Sequence, residues 1–159
     1  MQKISPFLWF DTQAEEAASF YVGIFPDSKI HNVARYPTDT PGKKAGDVMT
    51  VSFELWGQRF TALNGGPHFT FDEAISFTVH CETQEEVDRY WDALLEGGGK
   101  EVQCGWLKDR FGLSWQITPT KMVDYLEGED SEGRQRAFQA MMGMVKLDIS
   151  ELERAYKGA

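Results

Sequence analysis

Between Val48 and Leu55 apolar and polar side chains alternate without a break, Met49, Val51, Phe53 and Leu55 against Thr50, Ser52 and Glu54. A period of two predicts a half-buried strand. Trp56-Gly57 then supplies a turn into Gln58–Asn64, so these two segments are expected to form a hairpin. Upstream, Ile4–Phe10 reads as a strand, and Pro6 places it at a sheet edge or a strand start because proline has no N–H to give the ladder. Ala17, Phe20, Tyr21 and Ile24 recur at helical spacing until Pro26-Asp27 stops the helix. Ile30–Tyr36 reads as a further strand, followed by the polar loop Pro37–Asp47.

The second half repeats this order. ISPFLWFDTQAE (Ile4–Glu15) and ISFTVHCETQEE (Ile75–Glu86) match at a constant offset, pairing Ile4 with Ile75, Ser5 with Ser76, Thr12 with Thr83, Gln13 with Gln84 and Glu15 with Glu86. Such self-similarity predicts an internal duplication. Thr12 with Glu15, and Thr83 with Glu86, have capping-box spacing at the start of a helix. Val87, Tyr90, Trp91, Leu94 and Leu95 make the second helical stripe, ended by Gly97-Gly98-Gly99. Glu101–Leu107 reads as a strand, Lys108–Gly112 as a turn and Leu113–Thr118 as the last strand. WGQRFTA (Trp56–Ala62) and FGLSWQI (Phe111–Ile117) also match, aligning Thr61 with Gln116. After Pro119 the pattern turns helical: Arg134–Val145 carries Phe138, Met141, Met142 and Val145, and Ser150 with Glu153 forms a third capping-box spacing. This tail is expected to dock on the domain or on a second subunit.

Composition narrows the function classes. The 159 residues carry 42% hydrophobic side chains, enough to bury a core as one domain. A formal charge of −9, without a cluster of Lys and Arg, argues against nucleic acid as a partner. No run approaches the ~20 apolar residues of a membrane span. Two cysteines, Cys81 and Cys104, and no apolar signal segment point to a reducing cytoplasm.

FYVGIFPDSKI (Phe20–Ile30), GGPHFTFDEAISFTVHCETQEEVDRYWDALLEGG (Gly65–Gly98) and CGWLKDRFGLSWQITP (Cys104–Pro119) resemble the PhnB-like group of the vicinal oxygen chelate superfamily, which includes glyoxalase and bleomycin-resistance proteins. The resemblance implies an α+β fold of two βαβββ modules, each with a curved mixed or antiparallel sheet around a cavity. It places the domain at residues 1–120, with modules at about 1–66 and 67–120, followed by a helical extension over 121–159. Members of the group often carry the label 3-demethylubiquinone 3-methyltransferase. A nucleotide-type methyl donor sits on a Gly-rich turn that opens a helix. Neither Gly65-Gly66 nor Gly97–Gly99 does so here.

In metal-dependent members, His or Glu on the first and last strands of each module binds one divalent ion. Carried through the repeat register, those positions are Ser5, Thr61, Ser76 and Gln116. Neutral hydroxyls and an amide do not supply the charge that holds a transition metal, so no metal and no other cofactor is expected. His31, His68 and His80 are scattered without ligand spacing and read as structural or surface residues, and the two cysteines as buried thiols. Strand parity gathers Ser5, Phe7 and Trp9, then Thr61 and Leu63, then Ser76, Thr78 and His80, then Ser114, Gln116 and Thr118 on the face of the implied ligand positions. By residue pattern this is either a solvated sheet face or a pocket wall, and the resemblance favours the pocket. The ligand-binding candidates are therefore Ser5, Phe7, Trp9, Thr61, Ser76, Thr78, His80 and Gln116, with Trp9, His80 and Gln116 expected to converge. His80 is the candidate acid–base group on this face, and Glu54 joins it if Thr50, Ser52 and Glu54 share that face. Asp109 and Gly112 read as turn formers.

Three functions compete: a metal-free small-molecule binding protein, a metal-dependent lyase, isomerase or dioxygenase of the same superfamily, and an interaction module using the methionine-bearing tail. Metal analysis separates the first two, and deletion of residues 121–159 tests the third. A homodimer is expected, because superfamily cavities are commonly completed across subunits.

Overall fold

A computed structural model describes residues 2–159, which divide into a unit ending at Phe71 and a second unit, Asp72–Ala159. In the first, β1 (Phe7–Phe10), α1 (Ala14–Ile24), β2 (Lys29–Arg35), β3 (Val48–Leu55) and β4 (Gln58–Asn64) follow one another. They form a sheet of order β1-β4-β3-β2, with β1 parallel to β4 and the other pairs antiparallel. The β3–β4 hairpin has the bounds predicted from alternation, and its turn places Trp56 and Gly57 at φ 48° and 81°, as a two-residue primed turn requires. β1 begins at Phe7 rather than Ile4. Pro6 has no N–H, and only its carbonyl joins the ladder, accepting from Thr61 N at 3.1 Å.

Leu8, Phe10, Val51, Phe53, Leu55, Phe60 and Ala62 turn to the buried face under α1. Ala14, Ala17 and Ala18 are fully buried, so α1 approaches the sheet closely, and Tyr21 stacks on Phe53 with ring centroids 6.3 Å apart. Removing a side chain as large as Phe53 from such a core costs about 3–5 kcal/mol. The capping box expected from Thr12 and Glu15 does not form. The cap residue is Gln13, with no side-chain bond, and buried Asn64 Oδ1 instead accepts from Ala14 N at 2.8 Å. Asn64 Nδ2 also donates to Val48 O, and its own carbonyl accepts from Tyr36 Oη at 2.6 Å. A tertiary partner has displaced the local cap.

The second unit contains β5 (Ser76–Cys81), α2 (Gln84–Leu95), β6 (Lys100–Glu101), β7 (Trp106–Lys108) and β8 (Ser114–Pro119), in sheet order β5-β8-β7-β6. β5 is parallel to β8, and both remaining pairs are antiparallel. Both units are thus βαβββ modules of an α+β fold. Glu101–Leu107 is not the single strand expected: Cys104 and Gly105, at φ 61° and 82°, fold it into the β6–β7 hairpin. Here the hydroxyl half of the capping box forms, and the carboxylate reaches one residue further back than the cap. Thr83 Oγ1 accepts from Glu86 N, and the Glu86 carboxylate accepts from Glu82 N at 2.7 Å. Val87, Tyr90, Trp91 and Leu94 are the buried stripe of α2. Asp109 is the turn former expected, accepting from Phe111 N, Leu113 N and Trp115 Nε1.

Three helices complete this unit: α3 (Met122–Glu127), α4 (Ser131–Met142) and α5 (Ile149–Lys157). Met122, Tyr125, Ala137, Leu147 and Leu152 form their shared core. α4 starts earlier than its apolar stripe suggested, because Asp130 caps it through Glu132 N and Gly133 N. α5 is capped by Asp148 rather than Ser150, and Glu153 pairs with Lys157 instead. Gln84 ties the tail to α2, donating to Leu147 O and accepting from Ile149 N, while Lys146 pairs with Asp88 at 2.8 Å. No helix among the described residues is long and apolar enough to cross a membrane.

Candidate functional site

Each sheet has one face covered by its helix and one left open, and the nominated residues lie on the open faces. In the first unit the open face is built of three rows of cross-strand partners. Trp9, Leu63, Thr50 and Ala34 form one, Phe7, Thr61, Ser52 and Asn32 the next, and Arg59, Glu54 and Lys29 the third. Trp9 is held firmly: its Nε1 donates to Gly66 O at 2.9 Å, and its ring meets the edge of Phe69 with centroids 4.9 Å apart. A Cβ at Gly65 would overlap the indole, so glycine there is what admits Trp9. Phe7 is 63% exposed, and Ser5 lies exposed ahead of β1.

In the second unit Ser76, Thr78 and His80 pair across β5 and β8 with Ser114, Gln116 and Thr118. Gln116 Nε2 donates to Ser76 Oγ at 2.9 Å. Ser114 is buried, and its hydroxyl has no hydrogen-bond partner among the described residues. His80 is exposed, and no side-chain hydrogen bond holds it among the described residues. Trp9 belongs to the first unit, and His80 and Gln116 to the second, each positioned by its own sheet. The open hollow of about 600 Å³ beside Arg89, Asp92, Ala93, Leu95 and Glu96 on α2 is lined by none of the nominated residues.

The positions that the resemblance assigns to a divalent ion do not fit one. Ser5 and Thr61 offer neutral hydroxyls, and Ser76 and Gln116 are hydrogen-bonded to each other. Among the described residues no three His, Cys, Asp or Glu side chains group closely enough to hold an ion. The cysteines are free. Burial, and secondarily the charge of Glu86, pushes the Cys81 thiol up to about 12, which makes it a poor nucleophile.

One group escaped sequence reasoning. His31 Nε2 lies 3.6 Å from Glu54 Oε1, both side chains about one-fifth exposed, and Arg59 Nε lies 3.7 Å from the same oxygen. A register shift between Ile30 and Asn32 is responsible, since a bulge re-aims the extra residue. The signal was available: Ile30 and Val33 are three positions apart, whereas their partners Phe53 and Val51 are two apart.

A family model described as 3-demethylubiquinone-9 3-methyltransferase matches residues 2–118. The chain belongs to this family. Among solved structures, it is similar to the PhnB protein from Bacillus cereus, which carries the same methyltransferase label, with 38% identity and a TM-score of 0.67 over 75% of this chain and 100% of that one. Protein PA1353 from Pseudomonas aeruginosa shares the fold at 21% identity and a TM-score of 0.61, over 75% and 98% of the two chains. The fosfomycin resistance protein FosX from Listeria monocytogenes shares it at 12% identity and a TM-score of 0.56, over 79% and 96%. The two lower-identity neighbours share the fold of this family member. No curated protein matches the chain.

Proposed function

We propose that this PhnB-like protein binds a small organic molecule on its open sheet faces without a divalent metal ion. The observation that carries the reading is the Gln116–Ser76 hydrogen bond, which engages two of the implied metal positions with each other through neutral groups. In the first unit an aromatic wall at Trp9 and Phe7 stands beside hydroxyls at Thr61 and Ser52, and in the second Ser76 and Thr78 supply hydroxyls next to Gln116; rings for area and a few polar groups for orientation are the usual make-up of a ligand surface. The family's methyltransferase description finds no support in the backbone. Gly65-Gly66 leads into irregular chain and Gly97–Gly99 into β6, so neither opens the helix on which a nucleotide-type methyl donor is held.

A thermal-shift screen of a metabolite library tests the reading, since a tight binder raises apparent stability by mass action. Hits whose effect disappears in Gln116→Ala or Trp9→Ala are expected. Stoichiometric zinc, nickel or iron in protein purified from metal-free buffer would replace this reading with a metal-dependent enzyme of the same superfamily. We further read the chain as a cytoplasmic homodimer, with support from two free thiols and from Phe138 and Met142, which are exposed on α4. Light scattering checks the mass. The family match ends at residue 118, which supports residues 121–159 as an extension appended to two duplicated modules.

A further inference from the structure

On the open face of the first unit, Glu54 is a carboxylate between two cationic cross-strand partners. Lys29 is its cross-strand neighbour on β2 and Arg59 on β4, and the bulge adds His31 from β2. His31 Nε2 and Arg59 Nε both approach Oε1, at 3.6 and 3.7 Å. No hydrogen bond among the described residues reaches Oε2. The carboxylate is therefore held at one oxygen and left with acceptor capacity at the other. Its side chain is 21% exposed, enough for a ligand atom to reach it.

The surrounding charge selects what that oxygen accepts. A metal ion or an ammonium would lie against Lys29 and Arg59, and an anion would lie against Glu54 itself. A neutral O–H donor meets neither repulsion, and its bond to a carboxylate is charge-assisted. Two residues along β3, about 7 Å from Glu54, is Ser52, whose row runs across the sheet through Thr61 on β4 to Phe7 on β1. Phe7 is exposed in that row, two strands across from Glu54, and offers an aromatic ring to the body of a ligand whose hydroxyl reaches the carboxylate.

Resting on the small-molecule reading above, we propose that Glu54 is the polar anchor of the first unit's site and takes a neutral hydroxyl, of the phenol class, with His31 and Arg59 as its positioning residues.

The test is an amide chemical-shift titration of the full chain at pH 7 with 4-methylphenol, and with 4-methylanisole, which has the same body but no O–H. The phenol is expected to shift the amides of Glu54, Arg59 and Thr61 and to bind at least fivefold more tightly than the ether. In Glu54→Ala that preference falls below twofold, and Glu54→Gln, which keeps the shape, is intermediate and serves if the alanine variant unfolds. His31→Phe lowers the preference at least twofold, and His31→Gln, which restores an N–H, recovers it. Equal binding of the two probes, or a preference retained in both Glu54 variants, overturns the assignment. An unchanged preference in His31→Phe removes His31 from it. If neither probe binds but a library hit shifts the same face, the hydroxyl class is wrong and the small-molecule reading stands; if the library also gives no hit, both fall.

Discussion

Gln116 on β8 and Ser76 on β5 meet side chain to side chain, Nε2 to Oγ, at 2.9 Å across parallel neighbouring strands. Removing the amide leaves the serine hydroxyl without this donor and, on the small-molecule reading proposed above, takes away a group that orients the ligand. Gln116→Ala is expected to weaken binding of a screened ligand by about 1–3 kcal/mol, the usual cost of an unsatisfied polar partner. Calorimetric titration of both proteins with the same ligand measures it.

Gly65→Ala is expected to displace Trp9, because the new methyl would occupy the space of the indole. The Trp9 Nε1–H resonance, fixed by Gly66 O in the parent, should move toward its solvent-exposed position. Stability should fall by roughly 1–3 kcal/mol, as overpacking commonly costs. An unmoved indole signal would show that Trp9 is not seated on Gly65.

Gln84 serves the tail with both ends of its amide, at Leu147 O (3.1 Å) and Ile149 N (2.9 Å). Gln84→Ala is expected to cost about 1–3 kcal/mol in urea unfolding. Gln84→Glu, which keeps the acceptor and loses the donor, should fall between. Equal stability of all three proteins would show that the apolar core around Leu147 and Leu152 holds the tail alone.

Cys81 gives a prediction in alkaline solution. Burial raises its thiol from 9.0 to about 12, so the folded state keeps the proton where the unfolded chain has released it. Its contribution to stability is fully present below about pH 9 and is lost as pH rises toward 12. Iodoacetamide at pH 8 should label partly exposed Cys104 and spare Cys81 until the protein unfolds. Cys81→Ala should flatten the decline in stability above pH 9, read by denaturant midpoints.

Much of the fold was legible because its strands obey a period of two. β3 and β4 fall at the predicted bounds, and parity put Trp9, Thr61 and Leu63 on one face and Ser76, Thr78 and Gln116 on one face of the other sheet. What local pattern missed was decided by partners distant in sequence. Asn64 replaced the cap that Thr12 and Glu15 were expected to provide. The left-handed pair Cys104-Gly105 divided an expected strand, a conformation that a cysteine does not announce. Glu54 does share its face with Thr50 and Ser52, the condition set for it to join the candidate site, but its contact with His31 was not anticipated. The bulge that brings His31 to it shows only when the spacing of Ile30 and Val33 is set against that of Val51 and Phe53.

Asn64 carries a consequence for how the first unit moves. One residue accepts the first amide of α1, donates to the first residue of β3 and receives the hydroxyl of Tyr36 at the loop entrance. Loosening any of these three contacts deprives a buried amide of part of its coordination, so the helix start, the strand start and the loop are thermodynamically linked. Fluctuation there is concerted rather than piecemeal, and the long loop after Tyr36 is anchored at its root to the helix on which the sheet is packed.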